Sequence, residues 1–378
     1  MHYLRTVLPL IRQNLSKRKI IVLYGARRTG KTTLVKELIS NFDGAARYIN
    51  CDLHQNRTAI GTTDTVLLNN FIGNNKLIVL DEAQQIENIG LVLKILADNF
   101  PDVQFIATGS SSFDLSNKVS EPLTGRSRKY LLLPISMEEL LENSDLLTIQ
   151  SFLPLYLRYG LYPQVINADG EEKIEEINDI SSNYLYKDLL QFESIKKPDL
   201  IFNLLRAIAF QSGGQCSYNE LAQLTNTNVH TVKRYIELLE KSFVIFRLIS
   251  FSQNLRKEIN KSQKIYFYDT GIRNSIIQNF NDIPFRNDIG GLWENFCIAE
   301  RIKFNQNNRH FVNTFFWRTY DKKEIDYIEE KDGKLTCFEF KFNRKKEKKA
   351  PREFVEAYPN SIFKTITPEN FYELIKRT

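Results

Sequence analysis

Nine consecutive residues, Gly25-Ala26-Arg27-Arg28-Thr29-Gly30-Lys31-Thr32-Thr33, follow an apolar run that begins at Ile20. The spacing is that of a phosphate loop, with a strand expected before it and a helix after it. Gly25 and Gly30 let the backbone turn tightly, so that several N–H groups can converge on phosphate oxygens. The helix expected from Gly30 adds the positive end of its dipole. Lys31 is expected to reach the β- and γ-phosphates and Thr32 to hold magnesium, which makes ATP and Mg2+ the expected cofactors. The bland alternative is a glycine turn between strand and helix. The complete pattern in the required context argues against it.

A second chemical stretch is Lys76-Leu77-Ile78-Val79-Leu80-Asp81-Glu82-Ala83, an apolar run that ends in two carboxylates. A buried strand that delivers Asp81 beside the loop can coordinate magnesium through water. Glu82, one residue on, points elsewhere and can polarise the attacking water. Strands often end in acids, so the pair gains its meaning from the loop upstream. The run Val103–Ser111 reads as a neighbouring strand whose Thr108 and Ser110 hydroxyls could touch the γ-phosphate or the water; a capped polar turn is the alternative. Arg126 and Arg128, behind Gly125, could supply charge to phosphates in the same chain or across a subunit boundary. Read otherwise, they are surface arginines.

A third constellation lies near the end of the chain. Glu324-Ile325-Asp326 and Glu339-Phe340-Lys341 fall on two expected strands joined by a turn at Asp332-Gly333. Period two puts Glu339 and Lys341 on one face, and the turn can bring Asp326 beside them. Paired carboxylates bind magnesium through oxygen, and a lysine alongside can orient water or offset charge on a scissile phosphate. Glu294, on an expected helix, could complete the cage. Most strands with Glu and Lys at this spacing are merely solvated, so the pattern needs all four residues. Lys341, Arg344, Lys345, Lys346, Lys348, Lys349 and Arg352 follow as a basic stretch, either a solvated loop or a contact to a phosphate backbone.

These residues need elements to hold them. Alternating strands and helices through the first 140 residues imply a parallel sheet covered on both faces, with the site at the strand ends. Residues 2–16 read as an amphipathic helix with Leu4, Val7, Leu8, Ile11 and Leu15 on one side. Ser136 is expected to cap a helix with Glu139 at its third position, and Ser217 with Glu220 to do the same. Residues 141–198 look helical, as a lid or linker. From 199 to 270 a helix, a short helix, a turn, a helix and a hairpin give a winged-helix arrangement. Its second helix would present His230, Lys233 and Arg234, and its hairpin tip Arg256, Lys257, Lys261 and Lys264, to DNA; a protein-contact role is equally open. The last unit spans 271–378.

Composition sets the limits. The chain has 378 residues, 42% apolar and 25% charged, enough for two or three domains. A formal charge of +6 permits nucleic-acid binding without requiring it. Cys51, Cys216, Cys297 and Cys337 form no C-x-x-C pair, which fits a reducing compartment better than a zinc site. No apolar run is long enough for a membrane span, and the start lacks the core of a secretion signal, so the cytoplasm is expected.

Taken in order, these pieces resemble a bacterial and archaeal family that joins an AAA-type ATPase domain to a C-terminal domain of unknown function, the DUF4143 type, similar in fold to restriction endonucleases. The matching residues are Gly25–Thr32, Leu80-Asp81-Glu82, Thr108–Ser111, Gly125-Arg126, Leu133–Ser136, Tyr266–Gly271, Trp293-Glu294-Asn295, Trp317-Arg318, Glu324–Asp326 and Phe338–Lys341. The resemblance implies a multidomain α/β fold: a P-loop AAA-type parallel sheet, a winged-helix middle and a restriction-endonuclease-like α/β end. It implies nucleotide-site roles for Lys31, Thr32, Asp81 and Glu82, a polar sensor at Thr108 or Ser110, and an arginine acting in trans at Arg126. It also places Glu294, Asp326, Glu339 and Lys341 in a nuclease-like motif. The function read from all this is an ATPase coupled to a DNA-directed module, with magnesium-dependent nuclease action open. The alternative is an ATP-driven switch whose last domain recognises protein without cleaving. ATP, DNA or a protein are the expected partners, a homo-oligomer is open, and no membrane is expected.

Overall fold

The computed structural model describes residues 3–15, 17–110, 123–192, 198–251, 263–319, 321, 323–343 and 350–376, and for 183–192 and 198 the backbone alone. Ser111, the hairpin-tip residues Arg256, Lys257 and Lys261, and the basic residues Arg344, Lys345, Lys346, Lys348 and Lys349 lie outside the described residues.

The apolar runs near the start form a five-stranded sheet: β1 (Ile20–Tyr24), β2 (Ala46–Asn50), β3 (Leu77–Asp81), β4 (Gln104–Gly109) and β5 (Ser127–Leu131). The order is β2-β3-β4-β1-β5 and every pairing is parallel. Such runs are apolar at every position because helices cover both faces. Ile21, Leu23 and Val79 pack against the helices Val7–Arg12 and Lys31–Ser40. Ile20, Val22, Ile78 and Leu80 face His54–Ile60, Thr65–Ile72 and Ile89–Asn99. His54–Ile60 and Thr65–Ile72 are separate helices, where helical periodicity over 58–72 alone would give one. The Asp64 carboxylate accepts the N–H groups of Val66 and Leu67 at 2.8 and 3.2 Å, starting the second one afresh. The first helix is also shorter than its periodicity suggests. It begins at Val7, and Leu4 is exposed.

Beyond β5 the expected capping box forms, with Ser136 and Glu139 bonded reciprocally at the head of Met137–Leu141. The helices Leu146–Tyr159, Pro163–Asn167 and Glu172–Phe192 follow. Next come the helix Pro198–Phe210, β6 (Gln215–Cys216), the helices Tyr218–Leu224 and Val229–Lys241, and the pair β7 (Ile245–Ser250) and β8 (Gln263–Phe267). Ser217 sits at an N-cap without a side-chain capping bond. The box expected there does not form, and Glu220 accepts the Gln211 amide at 2.8 Å instead.

The last elements are the helix Ile289–Asn307, β9 (Asn313–Arg318), β10 (Glu324–Lys331), β11 (Lys334–Phe340) and β12 (Ile362–Ile366). They do not form a sheet of their own. One seven-stranded sheet runs β12-β11-β10-β9-β7-β8-β6, joined across the middle by parallel pairing of Ile249 with Phe315 and Ser250 with Phe316. The sheet therefore passes through the boundary expected at residue 270. The chain there enters the short helix Thr270–Ile276, all of it buried. Asp269 accepts the Leu161 N–H at 2.7 Å and the Ile272 N–H at 3.2 Å. A Cβ at Gly271 would stand 2.0 Å from the Tyr159 carbonyl oxygen, so the Asp-Thr-Gly sequence serves docking onto the helical middle.

Candidate functional site

In a parallel sheet all strands end at one edge. Here that edge gathers Gly25, Asp81 and Ser110 from β1, β3 and β4. Gly25 has φ +150°, and a Cβ on it would lie 2.0 Å from the carbonyl oxygen of Leu132. Gly30, at φ +96°, is the N-cap of Lys31–Ser40 and brings no side chain to its N–H groups, leaving them available to an anion. Between the two glycines the loop curls around the Lys31 ammonium. Its Nζ donates to the carbonyls of Gly25 and Ala26 at 2.8 and 2.9 Å. Arg28 turns outward and pairs with Glu176 of the helical middle at 3.3 Å. Thr33 lies on the exposed side of the helix.

Asp81 is the centre of the edge. It accepts the Thr32 hydroxyl at 2.8 Å and also the hydroxyls of Thr108 and Tyr48. Burial, and then the Asp81 carboxylate, hold the Tyr48 phenol well above its ordinary range, so it remains a donor. Burial next to the same carboxylate pushes the Cys51 thiol up to about 12 and makes it inert. Glu82 takes a left-handed conformation at φ 55°, which turns its side chain away from that of Asp81. The Glu82 N–H donates to Thr108 Oγ1 at 3.1 Å, and its carboxylate accepts from the Gln84 amide. That amide also lies 3.4 Å from Ser110 Oγ. Thr32, Asp81, Thr108, Glu82, Gln84 and Ser110 thus form one bonded group, with the Lys31 ammonium held in the loop beside it. The donor set fits a magnesium nucleotide: glycine-turned backbone and a helix N-terminus for phosphates, and a Thr–Asp pair for the ion.

Arg126 is not in that group. It precedes β5, so it stands at the opposite edge of the sheet, about 16 Å away at 3.3 Å per residue, paired with Asp98 at 2.7 Å. Its own subunit's loop is out of reach. Arg5, which periodicity assigned only to a helix, is at the site instead. Its guanidinium donates to the Thr29 carbonyl at 2.6 Å, the Leu133 carbonyl at 2.7 Å and the Glu139 carboxylate at 2.9 Å. Tyr48 and Gln84 also belong to the site, through Asp81 and through Glu82 and Ser110. Gln84 could have been suspected, since it lies just beyond the end of β3 on the active edge; Tyr48 is mid-strand in β2, and nothing in the sequence marks it or Arg5.

The second cluster lies on the seven-stranded sheet. Tyr327 pairs with Phe338, which sets Asp326 across from Glu339. Lys341 Nζ is 2.7 Å from Glu339 and 3.8 Å from Asp326, and Asp326 also accepts the Phe340 N–H at 2.9 Å. Burial first, then the Glu294 and Glu339 carboxylates, raise the Asp326 carboxyl well above its usual range. Burial opposes the charge of Lys341, but the surrounding carboxylates outweigh it and hold its pKa high. Glu294 is held from the side by β8. Lys264 Nζ lies 3.0 Å from it and the Tyr266 hydroxyl donates to it at 2.6 Å. Lys264 is therefore not the exposed hairpin-tip contact expected of it. It is 1% exposed, because β8 is an interior strand and its side chain meets Glu294 on the helix Ile289–Asn307. The carboxylates of the expected cage, Glu294, Asp326 and Glu339, each meet a lysine. Among the described residues no group of three or more His, Cys, Asp and Glu could hold a metal ion.

With this geometry in place, the likeness to known proteins is specific by segment. Residues 17–141 match an AAA domain, 151–282 a domain of unknown function (DUF8612), and 289–370 a domain of unknown function (DUF4143). The chain is a multidomain α/β protein with an AAA-type module of the ATP-binding and hydrolysing kind on a parallel sheet, followed by a C-terminal DUF4143 domain. Among relatives, an uncharacterized protein of Mycobacterium tuberculosis is 26% identical over 334 residues, spanning 88% of this chain and 72% of that one. One of Methanocaldococcus jannaschii is 26% identical over 361 residues, spanning 88% and 78%. A Walker-type ATPase of Pyrococcus abyssi aligns at TM-score 0.47 and 16% identity, over 71% of this chain and 93% of its own. Among the described residues no helix is long and apolar enough to cross a membrane.

Proposed function

We propose that this protein is a DNA-directed ATPase that uses hydrolysis at the phosphate loop to switch its C-terminal half. The observation that carries the ATPase reading is the bonded group at the strand ends, in which Thr32, Asp81, Thr108 and Glu82 are locked in sequence beside Lys31. Thr32 and Asp81 would hold magnesium, which supplies positive charge to the phosphates. Lys31 adds to that charge, and Glu82 orients and polarises the attacking water.

The switch reading rests on what leans against the loop. Arg5 ties Thr29 to Glu139, and the helix that Ser136 and Glu139 cap gives its first N–H, from Met137, to Glu300 at 2.6 Å. Lys303, from the same long helix, reaches the Ile135 carbonyl at 3.1 Å. A shift of the loop would therefore press on Ile289–Asn307, which carries Glu294. DNA is proposed as the target because His230, Lys233 and Arg234 are exposed on Val229–Lys241, as the reading of 199–270 as a winged helix requires.

The test is ATP hydrolysis and DNA binding by the full chain. Lys31→Ala should lose hydrolysis, a fall of at least a hundredfold. Lys233→Ala/Arg234→Ala should weaken DNA binding and reduce its salt slope by about 2. Salt-insensitive capture of a protein with no DNA binding would instead identify a protein-directed switch. A further reading, metal-dependent cleavage of DNA, is favoured by the shared contact of Asp326 and Glu339 with Lys341. Nicking by the wild type that vanishes in both Asp326→Ala and Lys341→Ala would establish it.

A further inference from the structure

The second acidic cluster contains more cations than its sequence pattern suggests. Glu294, Glu324, Asp326 and Glu339 face Lys264, Lys341 and Arg318. Lys264 comes from β8, outside the stretch that carries the acids. Its Nζ touches the Glu324 carboxylate as well as Glu294. The far oxygen of Glu324 is taken by Arg318 at 3.3 Å. The Glu294 oxygen that meets Lys264 also accepts the Tyr266 hydroxyl, so its lone pairs are spent on donors. Lys264 lies over the Phe316 ring at 5.5 Å and is sealed from solvent. An ammonium held this way repels any second cation brought to the same oxygens.

We propose that Lys264 is the resident cation of this cluster: its ammonium occupies the place a divalent ion would need, and joins β8 to the Ile289–Asn307 helix and β10 without metal. Magnesium needs near-octahedral oxygen ligation at about 2.0–2.1 Å. The Glu294 and Glu324 carboxylates reach that state only if Lys264 leaves, and those of Asp326 and Glu339 are met by Lys341. The cluster is then an ionic lock between the middle of the chain and its C-terminal domain. This inference stands independently of the ATPase reading and against the metal-dependent cleaving one.

The experiment uses Mn2+ alone, without nucleotide, titrated into the full chain and followed by water-proton relaxation. Wild type and Asp326→Asn should give the same binding curve, because no ion enters the cluster. Lys264→Met should gain one Mn2+ site, and Lys264→Met/Glu294→Gln should lose it again. A wild-type site that disappears in Asp326→Asn overturns the proposal, as does a folded Lys264→Met that takes up no additional ion. If Lys264→Met does not fold, the comparison of wild type with Asp326→Asn still decides: identical curves uphold it and a lost site sinks it.

Discussion

At the scale of single residues, the nucleotide edge depends on backbone that only particular side chains allow. Gly25 is the sharpest case. Its φ of +150° and the Leu132 carbonyl 2.0 Å from where a Cβ would sit leave room for hydrogen alone. Gly25→Ala should cost on the order of 2–4 kcal/mol, from backbone strain plus the clash. A urea unfolding midpoint would show it. At Gly30 the nearest atom to an added Cβ is an Arg5 nitrogen at 3.7 Å, so the penalty there is strain from φ +96° without collision. Gly30→Ala should therefore unfold at a higher urea concentration than Gly25→Ala. Equal midpoints would mean that the approach of β5 to the loop is looser than described.

At the scale of elements, the join between Met137–Leu141 and the end of Ile289–Asn307 is polar and titratable. Glu138 accepts the Asn308 amide at 2.8 and 3.1 Å. Burial, with help from Glu139, Glu142 and Glu300 and against the Asn308 bond, raises its carboxyl to about 7 from an ordinary value of 4.5. A raised carboxyl binds its proton more tightly in the folded chain. Its contribution to stability is complete below the unfolded value and is lost as pH rises through about 7. Glu138→Gln removes this dependence while keeping an acceptor for Asn308. The variant should melt above the wild type at pH 8, by about 1 kcal/mol after allowance for solvent screening, and the gap should close below about pH 5. A gap that grows on acidification would reverse the assignment.

At the scale of the whole molecule, the seven-stranded sheet makes the middle and the end of the chain one folding unit. β9 has β7 as its parallel neighbour, and Glu294 has its two donors on β8. A fragment that begins at residue 271 loses all three strands β6, β7 and β8. It would expose the side of β9 and leave Glu294 without Lys264 and Tyr266; one partner removed from a buried pair costs about 3–5 kcal/mol. Such a fragment should give no cooperative thermal transition, whereas the full chain should give one. A sharp melt from the 271 fragment would show that the two parts fold separately.

Several features were legible in the sequence because they are local. The phosphate loop, the Asp81-Glu82 strand end, the Ser136–Glu139 capping box and the Asp332-Gly333 turn each fit within a few residues, and local sterics and hydrogen bonding are enough to specify them. The alternation of apolar runs likewise set the parallel sheet, since a strand buried on both faces must be apolar throughout. What tertiary structure alone decided were the long-range meetings. Arg5 reaches Thr29 and Glu139 only after β5 closes beside β1. Arg126 is excluded from its own loop by the direction of β5, a matter of strand order rather than spacing. Lys264 reads as a solvated hairpin charge by its neighbours in sequence, but β8 pairs with β7 on one side and β6 on the other and so lies inside the shared sheet. A lysine's sequence neighbours do not say which acids it will meet; only the pairing of strands from distant parts of the chain does.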